Sequence, residues 1–447
     1  MHSSTEQRWL YWLISPVAWA SFSITIFIIS FFFPPFTFER YIHEPYHGFL
    51  NWWSALYTTL CLVACVFGWW FFTRVAPPVR YEPRNQFEAY SPVTLVDLGV
   101  GMVLFMANLA FTYGIWKEGA FQQLANIGQS SEEAAAFFEE VIATADEKGL
   151  GSLLQLSGLI IPWFYWLRIQ AIQSGSGTDR LVASGLFCAV FVSYLFPLML
   201  LGKRNSVLIP CFGIFLVWFM SRVKYGKVNP VKFALILIVF GVSVFAMFFM
   251  VEVIRNGILA GEKDLSELWT RVIGYMIAPY NQQGAMIMGD LEFPGGGKGY
   301  YWTLWFWKIP VLQHFMDAEA ILGTVPPYGV YERCDVLEAN GFIPHFTALS
   351  IFANSFVDFG WFGIAPFLAY GFVGAFTWKR FREGTVDGIV LYTMFAYSVL
   401  EWRGNLLFPP PYFGVALIVL TALGMGRWIL RTARFNHKRM YSSAARN

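Results

Sequence analysis

Long apolar stretches separated by short polar turns run the length of the chain. A helix needs about 20 apolar residues to cross the hydrocarbon core of a bilayer. Ten stretches meet or approach that measure, at 9–33, 50–72, 93–116, 153–172, 181–201, 207–221, 231–253, 345–378, 386–402 and 412–430. Two more, 268–288 and 300–316, are ambiguous: the first holds Arg271, Pro279 and the triplet Asn281-Gln282-Gln283, the second Lys308 and Pro310. Both are expected as interfacial or re-entrant helices, and counting them as spans gives twelve. The predicted fold is all-α, a polytopic integral membrane protein with about 10–12 transmembrane helices forming one membrane domain over 1–447. The stretch at 9–33 is too long for the core of a cleavable signal peptide and no small-residue cleavage site follows it, so it is expected to stay in the mature protein.

Composition agrees with the pattern. The 447 residues are 56% hydrophobic and 13% charged, where a soluble domain carries about 25% charged residues. Aromatic residues make up 19% and many stand near the ends of the apolar stretches, where Trp and Tyr settle at a membrane–water interface. The net charge of +2 is small, so the distribution of charge matters more than its sum. With the first residue in the cytoplasm, Arg8, the turns at 74–84, 168–180, 222–232 and 379–382, and the tail from Arg427 hold 19 of the 31 Lys and Arg. Basic residues concentrate on the cytoplasmic side, so this orientation is favoured and both termini are expected inside.

Two segments are then placed outside. Residues 116–150 carry an acidic amphipathic pattern over 130–148, with Ser130 or Ser131 as the cap and Glu132 and Glu133 in the first turn, where negative charge suits the helix dipole. Residues 255–343 form a large outer region with interfacial helices, punctuated by Pro294-Gly295-Gly296-Gly297 and Pro326-Pro327 and rich in Trp and Tyr. A long loop with that many aromatics is better read as functional than as disordered.

Several kinds of chemistry find little support. Of five cysteines, only Cys334 falls outside, which leaves it without a disulfide partner on that side. Cys61 and Cys65 lie one turn apart within a span and read as small buried hydrophobes. His43 and His47 have helical spacing but Pro45 stands between them. The run Pro294-Gly-Gly-Gly-Lys298-Gly299 lacks the Ser/Thr and the spacing of a phosphate-binding loop. No metal site and no other cofactor is expected.

What remains is a recurring set of charged and polar groups at the outer membrane boundary. Lys203 and Arg204 end one span, and Glu252 and Arg255 end another. Arg271 and Tyr275 lie one turn apart, Arg333 stands between Glu332 and Asp335, Asp358 interrupts an apolar run, and Glu401 and Arg403 flank Trp402. Ionisable groups at membrane depth are costly and mark a pathway or site unless they are snorkelling anchors or mutual ion pairs. Several Arg around one cavity suit a diphosphate, because the guanidinium fork matches phosphate oxygens.

The stretch Pro344-His345-Phe346-Thr347-Ala348-Leu349, continuing through Asn354-Ser355-Phe356-Val357-Asp358-Phe359-Gly360-Trp361-Phe362-Gly363, resembles a signature of bacterial O-antigen polymerases. Oligosaccharide repeat-unit polymerases of the Wzy type carry a similar Asn, Asp-Phe-Gly, Gly pattern after a large outer loop, and the related O-antigen ligases have a His near the start of the same segment. The turn Lys203-Arg204-Asn205-Ser206 is similar to a basic turn in these proteins. The resemblance implies a glycosyltransferase of the bacterial cytoplasmic membrane that makes O-antigen, capsule or exopolysaccharide on the outer face. The donor would be a glycan on a polyprenyl diphosphate and the acceptor a second lipid-linked repeat unit. The implied partners are these lipid-linked glycans, membrane lipids and a chain-length-regulating co-polymerase, with no nucleic acid. Displacing a diphosphate needs fixed cations for the leaving group and a base for the acceptor hydroxyl. His345 is the first candidate for the base, with Asp358 or Glu401 as the alternative. Lys203, Arg204, Arg255, Arg271, Tyr275, Arg333, Asn354 and Arg403 are the candidate substrate-binding residues. The rings of Tyr300, Tyr301, Trp302, Trp305 and Trp307 suit either sugar stacking or interfacial anchoring. A ligase shares nearly all these features. A transporter or flippase would be expected to show inverted repeats and charges at the midplane, whereas no repeat is visible here and the charges crowd the outer boundary.

Overall fold

The computed structural model describes residues 8–33, 50–76, 93–117, 150–200, 204–225, 265–309, 315–327, 330–343 and 349–402, with single positions among 36–39, 231–246, 312 and 414–423. The described residues are helical, with no strand among them. The helices are α1 (Pro16–Phe32), α2 (Trp52–Val75), α3 (Leu95–Lys117), α4 (Leu150–Ser174), α5 (Gly177–Leu200), α6 (Arg204–Tyr225) and α7 (Leu265–Met288). There follow three short helices, α8 (Tyr300–Trp307), α9 (Ala318–Leu322) and α10 (Val330–Ala339), then α11 (Ile351–Phe359), α12 (Ile364–Glu383) and α13 (Val386–Leu400). The acidic pattern at 130–148 lies outside the described residues.

The chain is an all-α, polytopic membrane protein. Five stretches among the described residues are long and apolar enough to cross a bilayer: Trp52–Val75, Leu95–Lys117, Gly177–Leu198, Ser206–Lys224 and Ile351–Glu383. Pro16–Phe32 and Val386–Leu400 are shorter apolar helices. Their flanks show what they face: Val63 is 59% exposed, Met102 62% and Val192 63%. Apolar side chains left open in this way suit a lipid surround, since no soluble fold presents so many.

Local sequence sets many of the helix ends. Asn51 caps α2 by accepting from the amides of Trp53 (2.9 Å) and Ser54 (3.1 Å). Ser350 caps α11 through the Ala353 amide at 3.0 Å. Gly384, with φ +75°, ends α12, and Thr385 caps α13 through the Gly388 amide at 3.3 Å. A left-handed residue after the last helical carbonyls costs little only when it has no side chain.

Packing follows the rules of a membrane bundle. Helices α2 and α12 form the most extensive pair. A methyl group at Gly68 would overlap the Leu368 carbonyl, and one at Gly371 would overlap that of Cys65, so each helix brings a glycine to the other's backbone. Elsewhere single polar groups join helices inside the apolar core. Asn108 on α3 donates to Ser193 Oγ on α5 (3.1 Å) and accepts from the Ser157 hydroxyl on α4 (2.9 Å). Asp97 on α3 accepts the Trp163 indole N–H from α4 at 3.0 Å.

The basic turns gather at one end of the bundle. A side chain at Gly384 would meet the Trp166 ring at 2.9 Å, and Lys224 Nζ stands 5.6 Å over that same ring. Arg380 in the same turn region pairs with Glu383 (2.9 Å) and Asp387 (2.8 Å). The end of α4, the end of α6 and the turn between α12 and α13 therefore meet around Trp166.

Two stretches differ from the sequence expectation. The apolar stretch read as one span from 345 is broken into α11 and α12 by a 3-10 turn over Gly360–Gly363. Gly360 sits at φ +55°, a conformation closed to most side chains, so the helix cannot run straight through. At about 1.5 Å per residue, the 20 residues of α12 cover the hydrocarbon core without α11. Helix α7 extends unbroken over 24 residues, and Ile277 through Ala285 are buried against α1, α2 and α11, so this half of it is interior rather than laid on a surface.

Candidate functional site

Helix α11 lies where α2, α7, α8 and α12 meet, at the end of the bundle away from the basic turns. Ser350, Asn354 and Asp358 stand four residues apart and so share one face of it. All three are buried, as is Ser355 beside them. Buried polar groups in an apolar surround must find partners, and most of these do.

At the start of α11, Ser350 donates its hydroxyl to Gln283 Oε1 at 2.7 Å, and Gln283 Nε2 donates to Thr58 Oγ1 at 2.8 Å. One carboxamide thus bridges α2, α7 and α11. The triplet Asn281-Gln282-Gln283, odd in an apolar stretch, is fully buried because α7 carries it inward to this junction. The Ile351 amide donates to the Trp402 carbonyl at 2.8 Å, which sets the end of α13, with half-buried Glu401, beside the same helix start.

At the other end of α11, Asp358 Oδ2 accepts from the Trp302 amide at 2.9 Å, and the amides of Tyr301 and Tyr300 face the same carboxylate. These are the first three amides of α8, the groups that have no partner within their own helix. Gly299, which precedes them at φ +69°, has no side chain with which to cap them. The Trp302 indole donates to Ser355 Oγ at 3.0 Å, and the Ser355 hydroxyl donates to the Gly363 carbonyl at 2.8 Å.

The glycine run before α8 is moulded to the same surface. The Gly297 amide donates to the Val357 carbonyl at 2.9 Å. A methyl at Gly296 would come within 2.8 Å of that carbonyl, and one at Gly299 within 3.0 Å of the Phe359 ring. These glycines are needed for close approach, as in many tight loop contacts, and not for cradling a phosphate. The docked helix hides Tyr300 and Tyr301 and leaves Trp305, Phe306 and Trp307 partly exposed. Of the rings proposed for sugar stacking, the two tyrosines are therefore taken up by packing.

Arg333 is buried and belongs to the scaffold around α8. Its Nε donates to the Pro327 carbonyl at 3.1 Å, and its guanidinium carbon stands 5.2 Å over the Tyr301 ring. The Tyr301 hydroxyl donates to the same Pro327 carbonyl at 2.7 Å. Burial pushes the Tyr301 hydroxyl up from its ordinary range while the nearby Arg333 opposes the shift, which keeps it a neutral donor.

The structure brings Asp358, Asn354 and Glu401 to one helix, and Tyr275 half-buried onto α7 beside it. Arg333 stands over the Tyr301 ring, the tyrosine next to Trp302. The Asn354 carboxamide oxygen has no hydrogen-bond partner among the described residues. Lys203, Arg255, His345 and Arg403 lie outside the described residues, and so do the side chains of Arg204 and Arg271. Sequence reasoning missed Gln283, Ser350 and Ser355 as parts of the junction. The repeat of polar residues every four positions from Ser350 to Asp358 was the available signal. No protein-family model, no curated protein and no solved structure matches this chain.

Proposed function

We propose that this protein is a membrane glycosyltransferase. It joins oligosaccharide repeat units carried on polyprenyl diphosphate, on the face of the cytoplasmic membrane opposite the basic turns. The observation that carries the reading is the segment Asn354 to Gly363, whose Asn, Asp-Phe-Gly, Gly pattern resembles that of the repeat-unit polymerases. It is the same segment on which the outer aromatic helix α8 is built. The unpaired oxygen of buried Asn354 costs about 1–3 kcal/mol unless a partner arrives, and a sugar hydroxyl is a suitable donor. Partly exposed Trp305 and Trp307 offer ring faces on α8.

In this reading His345 takes the proton of the acceptor hydroxyl, since an imidazole is half neutral near physiological pH, with Glu401 as the alternative. Arg204, Arg255 and Arg403 stabilise the departing diphosphate. Two experiments test it. Deleting the gene should leave single repeat units on the surface glycan; loss of all repeat units would point to a ligase instead. In purified protein given lipid-linked repeat units, His345→Gln should lower the rate roughly 10²–10⁴-fold. Full-length product from that variant would remove His345 from the mechanism.

A transporter is the second reading, favoured by the helix break at Gly360–Gly363, at the far end of α11 from the buried triplet Asn281-Gln282-Gln283, since transporters use broken helices at their binding sites. A purified transporter would form no new glycosidic bond in the same assay.

A further inference from the structure

We infer that Asp358 is a positioning residue: its carboxylate serves as the missing N-terminal cap of helix α8 and thereby fixes the aromatic helix as one wall of the site. This inference rests on the polymerase reading for its functional consequence, but its structural half stands alone.

Four observations point the same way. The residue that precedes α8 is Gly299, left-handed and without a capping side chain. Asp358, from a helix more than fifty residues away in sequence, accepts from the Trp302 amide at 2.9 Å. It is fully buried, so a carboxylate there is costly unless it is held by donors, and helix N-terminal amides are suited to an anion. The neighbouring contacts align α8 on the same helix: the Trp302 indole on Ser355, and the Gly297 amide on the Val357 carbonyl. Oδ2 is engaged with a backbone amide, while Oδ1 has no hydrogen-bond partner among the described residues; the engaged oxygen is well placed to hold a helix at a set angle.

Shape and charge can be separated by substitution. Asn is as good a helix cap as Asp but carries no charge. Glu keeps the charge but is one methylene too long for the same geometry. In the full-length protein in detergent, hydrogen exchange of the amides at 300–302 is measured for the wild type, Asp358→Asn, Asp358→Glu and Asp358→Ala. Asn should keep exchange near the wild-type rate, whereas Ala should raise it roughly fivefold, the size of a lost cap, with Glu between them. Should the Ala protein not fold, the Asn and Glu pair still decides the matter. Exchange that is unchanged in Glu and Ala alike would overturn the cap.

Surface glycan length in cells carrying each variant tests the consequence. Positioning predicts that Asn retains long glycan better than Glu. The reverse order, Glu active and Asn inactive with normal exchange, would show that Asp358 acts through its charge or its proton and would overturn the inference. If exchange rises as expected while every variant makes normal glycan, the positioning role in polymerisation is overturned although the cap is real. Failure of the polymerase reading itself is seen separately, as unchanged glycan after deletion of the gene.

Discussion

Helices α2 and α12 meet backbone to backbone, whereas α8 and α11 meet through a carboxylate, a hydroxyl and an indole. The first contact has no polar component. Gly68 and Gly371 remove side chains so that two apolar helices can approach closely, and dispersion does the rest. The second contact joins a short helix to the membrane bundle and uses directional bonds to Asp358 and Ser355. Lipid is as apolar as a leucine side chain, so burial gives little preference for one helix arrangement over another inside a membrane. A short aromatic helix such as α8 has little buried area to set its angle, and bonds of fixed direction choose it. The α2–α12 contact is specified by shape, and the docking of α8 is specified by hydrogen bonds.

The contrast predicts different sensitivities. The largest effect is expected in the bundle. Gly371→Leu forces a side chain into the Cys65 carbonyl, where backbone cannot give way, and overpacking alone costs about 1–3 kcal/mol before helices separate. The variant should lose the monodisperse peak in detergent chromatography, and a normal peak with normal melting would break the close-contact account.

Next comes the junction of α2, α7 and α11. Gln283→Leu leaves Ser350 and Thr58 without their shared partner, at about 1–3 kcal/mol. Melting of the purified protein should show this loss. In the double variant with Thr58→Val the two effects should fall short of additive, because one bond is removed twice.

Arg333 should matter less than a leaving-group cation would. Arg333→Ala loses one carbonyl bond and a ring contact, a cation–π term of about 0.5–2 kcal/mol. It should loosen the segment 315–343, read as faster limited proteolysis, while polymerisation falls only modestly. Complete loss of product from a stably folded Arg333→Ala protein would return Arg333 to the diphosphate.

The smallest effect sharpens the assignment of sides. Cys334 on α10 should react with a membrane-impermeant maleimide in intact spheroplasts. Burial, together with the carboxylates of Asp335 and Glu338, holds its thiol above the usual range. A raised value means less thiolate at neutral pH, so half-maximal labelling should fall above about pH 8.5, where an ordinary thiol is half ionised. Labelling only after lysis would reverse the orientation.

The parts that were legible in sequence share one property: they depend on averages over many residues. Apolar stretches of sufficient length identified the helices of the bundle. The caps Asn51, Ser350 and Thr385 act on amides two or three residues away. The only cap read from the sequence was Ser130 or Ser131, outside the described residues, yet these three were within reach of a local reading. The junction was not. Gln283 meets Ser350 across 67 residues and Thr58 across 225, and no local pattern encodes such a pairing. Hydropathy also hid the division of 345–378, since Gly360 and its neighbours are apolar enough to continue a span.

The sequence by itself determined the class of protein: a helical membrane chain with polar residues set at intervals of four along one short segment. Tertiary structure alone decided what those residues do. It gave the glycine run before α8 a use as a packing surface, and it placed Arg333 on a proline carbonyl and a tyrosine ring. It also gave Asp358 the unfilled end of a distant helix. The physical reason is that hydrophobic length acts through sums, which composition records, while a hydrogen bond acts through the position of two atoms. The fold brings those atoms together from anywhere in the chain.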